Sequence, residues 1–128
     1  MNNLLFVYGT LLDNDNEFAV YLRDNGKLYA EGRIGGKLYD IGEYPGAVLS
    51  DEDNSYVYGV ILKLDNATEV LHVVDEYEGF GAGQTWPNEF VRVLTIAETE
   101  KGAAQCWIYL YNFSTTNLPQ ITSGKYQR

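Results

Sequence analysis

The sequence predicts an α+β domain built around a curved sheet or small barrel. Three observations predict it. Apolar, β-prone runs recur along most of the chain, and helical spacing is confined to two short stretches. The third is size: 128 residues, 45% of them hydrophobic, suit one core. No internal repeat, low-complexity tract or linker divides residues 1–128, so a single domain is expected.

The elements follow in order. Leu4 to Tyr8 is a continuous apolar run ending at Gly9, which reads as a strand buried on both faces. Asp13-Asn14-Asp15-Asn16 is a loop able to cap a short helix, in which Phe18, Tyr21 and Leu22 share a face and which Gly26 stops. Leu28 to Tyr39 contains Gly32, Gly35 and Gly36, predicting an extended but bent path with close backbone approaches. Asp40 to Gly46 is rich in turn residues, and Ala47-Val48-Leu49 follows as a short strand. Asp51 to Asn54 reads as a solvated loop, and Tyr56 to Leu64 alternates as a strand. Asn66 with Glu69 has the spacing of a capping box, placing a helix over about 67–78. A loop with Gly and Pro runs from Gly79 to Asn88. Strands are expected at Phe90–Ala97 and Gln105–Phe113, joined through Thr99-Glu100-Lys101-Gly102 as a hairpin. The tail shows no strong period.

Charge and rare residues exclude several functions. Eighteen acids against nine bases give a net charge of -9, which argues against nucleic acid or anionic lipid as the main partner. One Cys and one His exclude an intrachain disulfide framework and disfavour a built-in zinc site. The N-terminal residues lack the pattern of a signal peptide, and no apolar run reaches the length of a membrane span. A soluble, cytoplasmic protein is the expectation. The 11 tyrosines read as sheet packing with hydroxyls at the rim rather than as a stacking platform. Acid–base chemistry in such a chain falls to carboxylates, or to His72 alone.

One carboxylate stands out. Projecting the second helix at about 100° per residue gathers Ala67, Val70, Leu71, Val73, Val74 and Tyr77 on one side. His72 and Glu76 fall opposite, and Asp75 lies at the margin. Glu78 lies about 45° from the centre of the apolar stripe. An acid aimed at a core is paired, raised in pKa or put to use. The sequence leaves two readings of it level: a helix end that frays at Gly79 into water, or a carboxylate in a pocket whose open side is Gly79-Phe80-Gly81-Ala82-Gly83. His72 reads as a surface residue, and Cys106, alternating with Trp107 in a strand, as a small packing residue. Tyr8-Gly9-Thr10-Leu11 is the second feature. A glycine after a buried strand permits a tight turn and leaves N–H groups uncovered, the makings of an anion or oxyanion site. Four residues alone say no more than a strand-ending turn.

The order of several short motifs says more. Phe6-Val7-Tyr8-Gly9-Thr10-Leu11, then Gly36-Lys37-Leu38-Tyr39-Asp40-Ile41-Gly42 running into Tyr44-Pro45-Gly46, then Val74-Asp75-Glu76-Tyr77-Glu78-Gly79 together resemble the gamma-glutamylcyclotransferase-like family, with its AIG2-like and gamma-glutamylamine cyclotransferase members. Phe90-Val91-Arg92, Trp107 to Tyr111 and Ile121-Thr122-Ser123-Gly124 extend the resemblance over nearly the whole chain. It implies a small mixed β-barrel, closed or nearly so, with short inserted helices. It also implies a pocket in which Tyr8, Gly9, Thr10 and Leu11 hold a gamma-glutamyl group and Glu78 is the general acid and base. The implied reaction closes a gamma-glutamyl group to 5-oxoproline and releases an amine or amino acid, with no metal or organic cofactor. Two departures bear on the substrate: Phe90 stands where the family usually has Tyr, and Gly59-Val60 where many members have Gly-Glu.

The other half of the substrate is not legible; the loop from Gly79 to Asn88, carrying Trp86, is expected to wall it, the alternative being a surface loop whose Trp packs on the barrel. Two rivals remain. One is a non-catalytic module binding a small carboxylate or amide in the same pocket, and the other is a hydrolase admitting water there. A Ser or Cys hydrolase is disfavoured because His72 sits on the wrong face to serve as its base.

Overall fold

A computed structural model describes residues 2–8, 17–42 and 44–126, with the backbone alone for residues 17 and 18. Its elements are β1 (Leu4–Val7), α1 (Glu17–Asp24), β2 (Gly26–Asp40), β3 (Pro45–Leu49), β4 (Tyr56–Leu64), α2 (Ala67–Glu78), β5 (Phe90–Thr99) and β6 (Gly102–Tyr111). The strands lie in the order β3-β2-β4-β1-β6-β5, and β2 also pairs with β5. That last pairing, Gly32 with Thr99 and Arg33 with Glu98, closes five strands into a barrel and leaves β3 as an extra strand on β2. β1 runs antiparallel to β4 and parallel to β6, so the barrel is mixed, as expected.

β1 is apolar throughout because it has a core on each side. Phe6 points into the barrel with Ile34, Leu38, Val57, Ile61 and Ile108. Leu5 and Val7 point outward, into a second core shared with Leu22 of α1 and Val70, Leu71 and Val74 of α2. The helices therefore cover the outer face of the sheet at β1.

β2 shows why its glycines are there. Its first half pairs with β4 as far as Gly35, and its second half pairs with β3 from Gly36 onward. The strand changes partners at Gly35-Gly36, and a side chain at Gly36 would lie 2.5 Å from the Val48 carbonyl oxygen. A bulge between Leu28 and Ala30 adds the expected bend.

α2 occupies the expected span and buries Val70, Leu71 and Val74. Each such side chain contributes about 1.5–3 kcal/mol when removed from water. Two details differ from expectation. Asn66 takes a left-handed conformation, φ 48°, and its side chain makes no cap bond; instead its amide donates to Glu69 Oε2 at 2.6 Å. The sequence spacing is that of a capping box, but the backbone at Asn66 aims the side chain elsewhere. Tyr77 is 59% exposed rather than buried, because the last turn of α2 reaches the rim of a cavity.

The β5–β6 hairpin turns at Glu100-Lys101 between the paired Thr99 and Gly102, as predicted. Both strands reach that turn, so β5 runs past Ala97 and β6 begins before Gln105. The tail has no period because it docks by backbone bonds rather than by a face. Ile121 N–H donates to the Leu38 carbonyl at 2.7 Å and Tyr58 N–H to the Gly124 carbonyl at 2.9 Å. Gly124 sits at φ 71°, where a side chain would collide with Tyr56. Among the described residues no helix is long and apolar enough to cross a membrane.

Candidate active site

The end of α2 decides where Glu78 points. Gly79 at φ 72° lets the chain close in a Schellman arrangement, with Gly79 N–H donating to Glu76 O at 3.3 Å and Phe80 N–H to Asp75 O at 2.9 Å. The helix therefore holds its form through Glu78 and does not fray before it. The carboxylate lines a cavity of about 250 Å³ formed between β1, β3, the start of β5 and the end of α2. Leu5, Phe6, Val7, Leu22 and Val74 make its apolar part, and Tyr8, Glu78, Glu89, Tyr44 and Tyr109 its polar part.

Burial is the larger influence on Glu78 and the negative charge of Glu89 the smaller; together they push its carboxyl up to about 7. No Lys, Arg or His lines the cavity among the described residues. Nothing there pulls the value back down.

Tyr8 anchors the other wall. Its hydroxyl donates to the Tyr109 carbonyl of β6 at 2.5 Å and accepts from Ala47 N–H of β3 at 3.3 Å. It thereby ties together two strands that do not pair with each other. Burial holds the phenol well above the usual tyrosine range, so it stays protonated and able to donate. The sequence thus led to two side chains, Tyr8 and Glu78, that share one cavity. Gly9, Thr10 and Leu11 lie outside the described residues.

Two groups of residues went unrecognised in the sequence. Asp75, one turn before Glu78, accepts from Arg92 Nε at 2.7 Å and Nη2 at 3.0 Å. It also accepts from Tyr109 Oη at 2.6 Å, and Arg92 lies over the Trp107 ring at 4.3 Å. This ties α2 to β5 and β6, joining the motifs around Asp75 and Arg92. The other group is Tyr44 with Glu89: the Tyr44 hydroxyl lies 2.8 Å from both carboxylate oxygens. The available signals were that Tyr44 belongs to the Tyr44-Pro45-Gly46 motif and that Glu89 directly precedes Phe90 of another.

Other expectations fall into place or fail. His72 is exposed and sits 3.2 Å from Glu76 on the outer face of α2. Cys106 is buried in the barrel, and burial pushes its thiol up to about 11, as suits a packing residue. Trp86 does not wall the cavity. It is 84% exposed, because the buried Asn88 pins the loop by bonds to Gly81 and Thr85 and leaves Trp86 on the outside. Phe90 does line the cavity and packs on Tyr44 and Tyr111. Val60 packs in the outer core and is not part of the lining.

Comparison with known proteins agrees with the fold. Residues 5–128 match the family described as gamma-glutamyl cyclotransferase, AIG2-like. The chain is 30% identical over 128 residues to YkqA of Bacillus subtilis (strain 168), covering 99% of this chain but 42% of that protein, so it spans less than half of that relative's length. It is 33% identical over 121 residues to the gamma-glutamylcyclotransferase family protein YtfP of Escherichia coli (strain K12), covering 94% and 92% of the two chains. The solution structure of Escherichia coli YtfP superposes with a TM-score of 0.68 at 30% identity over 96% of this chain and 95% of that one. A mouse AIG2-like protein shares the fold, with a TM-score of 0.73 at 20% identity over 98% and 88%. The architecture, the order of its motifs and these likenesses converge: the chain belongs to the gamma-glutamyl cyclotransferase, AIG2-like family.

Proposed function

We propose that this protein is a gamma-glutamylcyclotransferase-type enzyme, converting a gamma-glutamyl amide to 5-oxoproline and a free amine, with Glu78 as general base and then acid. The observation that carries this is a carboxyl with a pKa of about 7, held by the closed end of α2 in the wall of a substrate-sized cavity beside Tyr8. General acid–base groups work best when their pKa lies near the working pH.

The reaction is intramolecular, which makes a site with few catalytic groups sufficient. The Glu78 carboxylate takes one proton from the substrate's α-ammonium. The freed amine attacks the γ-carbonyl carbon and forms the ring C–N bond. Protonated Glu78 returns its proton to the leaving nitrogen as the amide C–N bond breaks. The second ammonium proton leaves the ring nitrogen and ends on the released amine. Holding nucleophile and carbonyl together is worth an effective molarity of about 10⁵ M or more. Backbone N–H groups of Gly9 to Leu11 are the donors we assign to the substrate carboxylate or the developing oxyanion. Those amides suit the anion because no cationic side chain lines the cavity among the described residues.

A panel of gamma-glutamyl amines and dipeptides, followed by mass spectrometry of 5-oxoproline, tests this. Turnover should fall about 10²–10⁴-fold in Glu78→Gln. In the wild type, kcat/KM should rise with pH and level off above about 7 as Glu78 ionises. Full activity in the variant would remove Glu78 from the mechanism. Release of glutamate would mean a hydrolase, and binding without turnover across the panel a binding module.

A further inference from the structure

The cavity's second carboxylate, Glu89, carries none of the proton transfers proposed for the cyclisation. Glu89 is bonded to the exposed Tyr44, while burial dominates the surroundings of Glu78 and Tyr8. Its position is fixed from three directions. The Glu89 carbonyl accepts from Asn112 N–H at 2.7 Å, and the preceding Asn88 is buried and bonded into its loop. The Tyr44 hydroxyl reaches both carboxylate oxygens, and the Tyr44 ring rests on Phe90.

Tyr44 supplies a single proton to a carboxylate that has room for about four hydrogen bonds. None of the ion pairs among the described residues involves Glu89. A fixed anion without an ion-pair partner, in a cavity lined by no Lys, Arg or His among the described residues, is a poor neighbour for a neutral ligand and a worse one for an anion. The gamma-glutamyl group cannot balance it, since its own ammonium and carboxylate cancel. A positive charge on the half that leaves would balance it.

We infer that Glu89, held by Tyr44, is a specificity-determining residue that selects gamma-glutamyl amides whose leaving amine carries a second, positively charged group. This rests on the cyclotransferase reading of the cavity. The gamma-glutamyl half sits inward, with its carbonyl at Glu78, and the leaving half extends past Glu89 to the open rim. Its ammonium completes the hydrogen bonds that Tyr44 leaves open on the carboxylate. A leaving half ending in a carboxylate meets Glu89 as a like charge and is rejected.

Three gamma-glutamyl amides of similar length separate the possibilities: those of 1,4-diaminobutane (cationic), n-pentylamine (neutral) and 4-aminobutyrate (anionic). The wild type should follow the order cationic, neutral, anionic in kcat/KM, with roughly tenfold or more between the first two. Glu89→Gln should flatten this order. Its absolute rates will also move, since Glu89 helps to set the pKa of Glu78, so the ratio between substrates is the readout. Equal wild-type rates for the cationic and neutral amides would overturn the inference without any variant. An unchanged ratio in Glu89→Gln would overturn it as well.

Calorimetric binding of the same three compounds to Glu78→Gln keeps this separate from catalysis. Preferential binding of the cation, lost in the double variant with Glu89→Gln, supports the inference even if no compound is turned over by the wild type. Indifferent binding refutes it even if all three are turned over.

Discussion

Glu78 carries its raised pKa at a cost in stability. In the unfolded chain its carboxyl titrates near the ordinary glutamate value of 4.5, and in the folded chain it is pushed up to about 7. Below the lower value both states are protonated and the residue is neutral toward folding. Between the two, the unfolded chain releases a proton that the folded one keeps, so stability falls as pH rises through this window. The penalty is complete above about 7, with an upper bound of roughly 3 kcal/mol. Glu78→Gln, neutral at every pH, should therefore be more stable than the wild type at pH 8, by about 1–3 kcal/mol, and nearly equal to it at pH 4. Urea unfolding at the two pH values measures this. A difference that does not depend on pH would mean that the gain comes from packing rather than charge. Tyr8 shows the opposite design: its buried hydroxyl is matched to a carbonyl and an N–H, so it links strands without an ionised group.

At the scale of elements, the closed end of α2 is what turns Glu78 inward, and Gly79 is what closes it. Nothing lies within 4 Å of a side chain placed there, so substitution is resisted by backbone conformation alone. Gly79→Ala should cost about 1 kcal/mol, and Gly79→Asn less, because Asn tolerates the left-handed region. Thermal unfolding should rank the three in that order; equal loss for Ala and Asn would point to a steric cause instead. Period was the part of this element that the sequence carried well. Val70, Leu71 and Val74 share a face by spacing, and Glu78 follows on it. β1 was legible for the same reason, being apolar without interruption. Contacts across elements were not. Asp75 and Arg92 meet only because the barrel brings α2 onto β5, and nothing local to either residue names the other. The partner switch in β2 was visible as a cluster of glycines, but which strands it would join was not. The cap at Asn66 failed because a backbone conformation, φ 48°, overrode a side-chain pattern. The candidate site shows the same division. Glu78 and Tyr8 adjoin regular elements whose period could be read, whereas Tyr44 and Glu89 adjoin turns, where polar residues are ordinary.

At the scale of the molecule, the excess of acids works against the fold and for the proposed substrate. A net charge of -9 leaves a general self-repulsion, which salt should relieve. Raising sodium chloride from about 20 mM to about 0.5 M should increase the melting temperature, as the screening length falls from roughly 20 Å to below 5 Å. A melting temperature lowered by salt would mean that attractive pairs such as Arg33 with Glu98 and Lys37 with Glu52 outweigh the repulsion.

The parallel pairing of β1 with β6 has a consequence for the protein's birth. β1 is made before every other strand of the barrel, and one of its edges can be covered by β4 while β5 and β6 are still to come. The other edge waits for the segment around Trp107 in β6, the last strand of the barrel to be made. Until that segment clears the ribosome, a short and wholly apolar strand has a bare hydrogen-bonding edge, the kind of surface that recruits chaperones or the wrong neighbour. The nascent chain can assemble the β2–β4 ladder early. The wall against which Tyr8 is tied can form only once β6 is made.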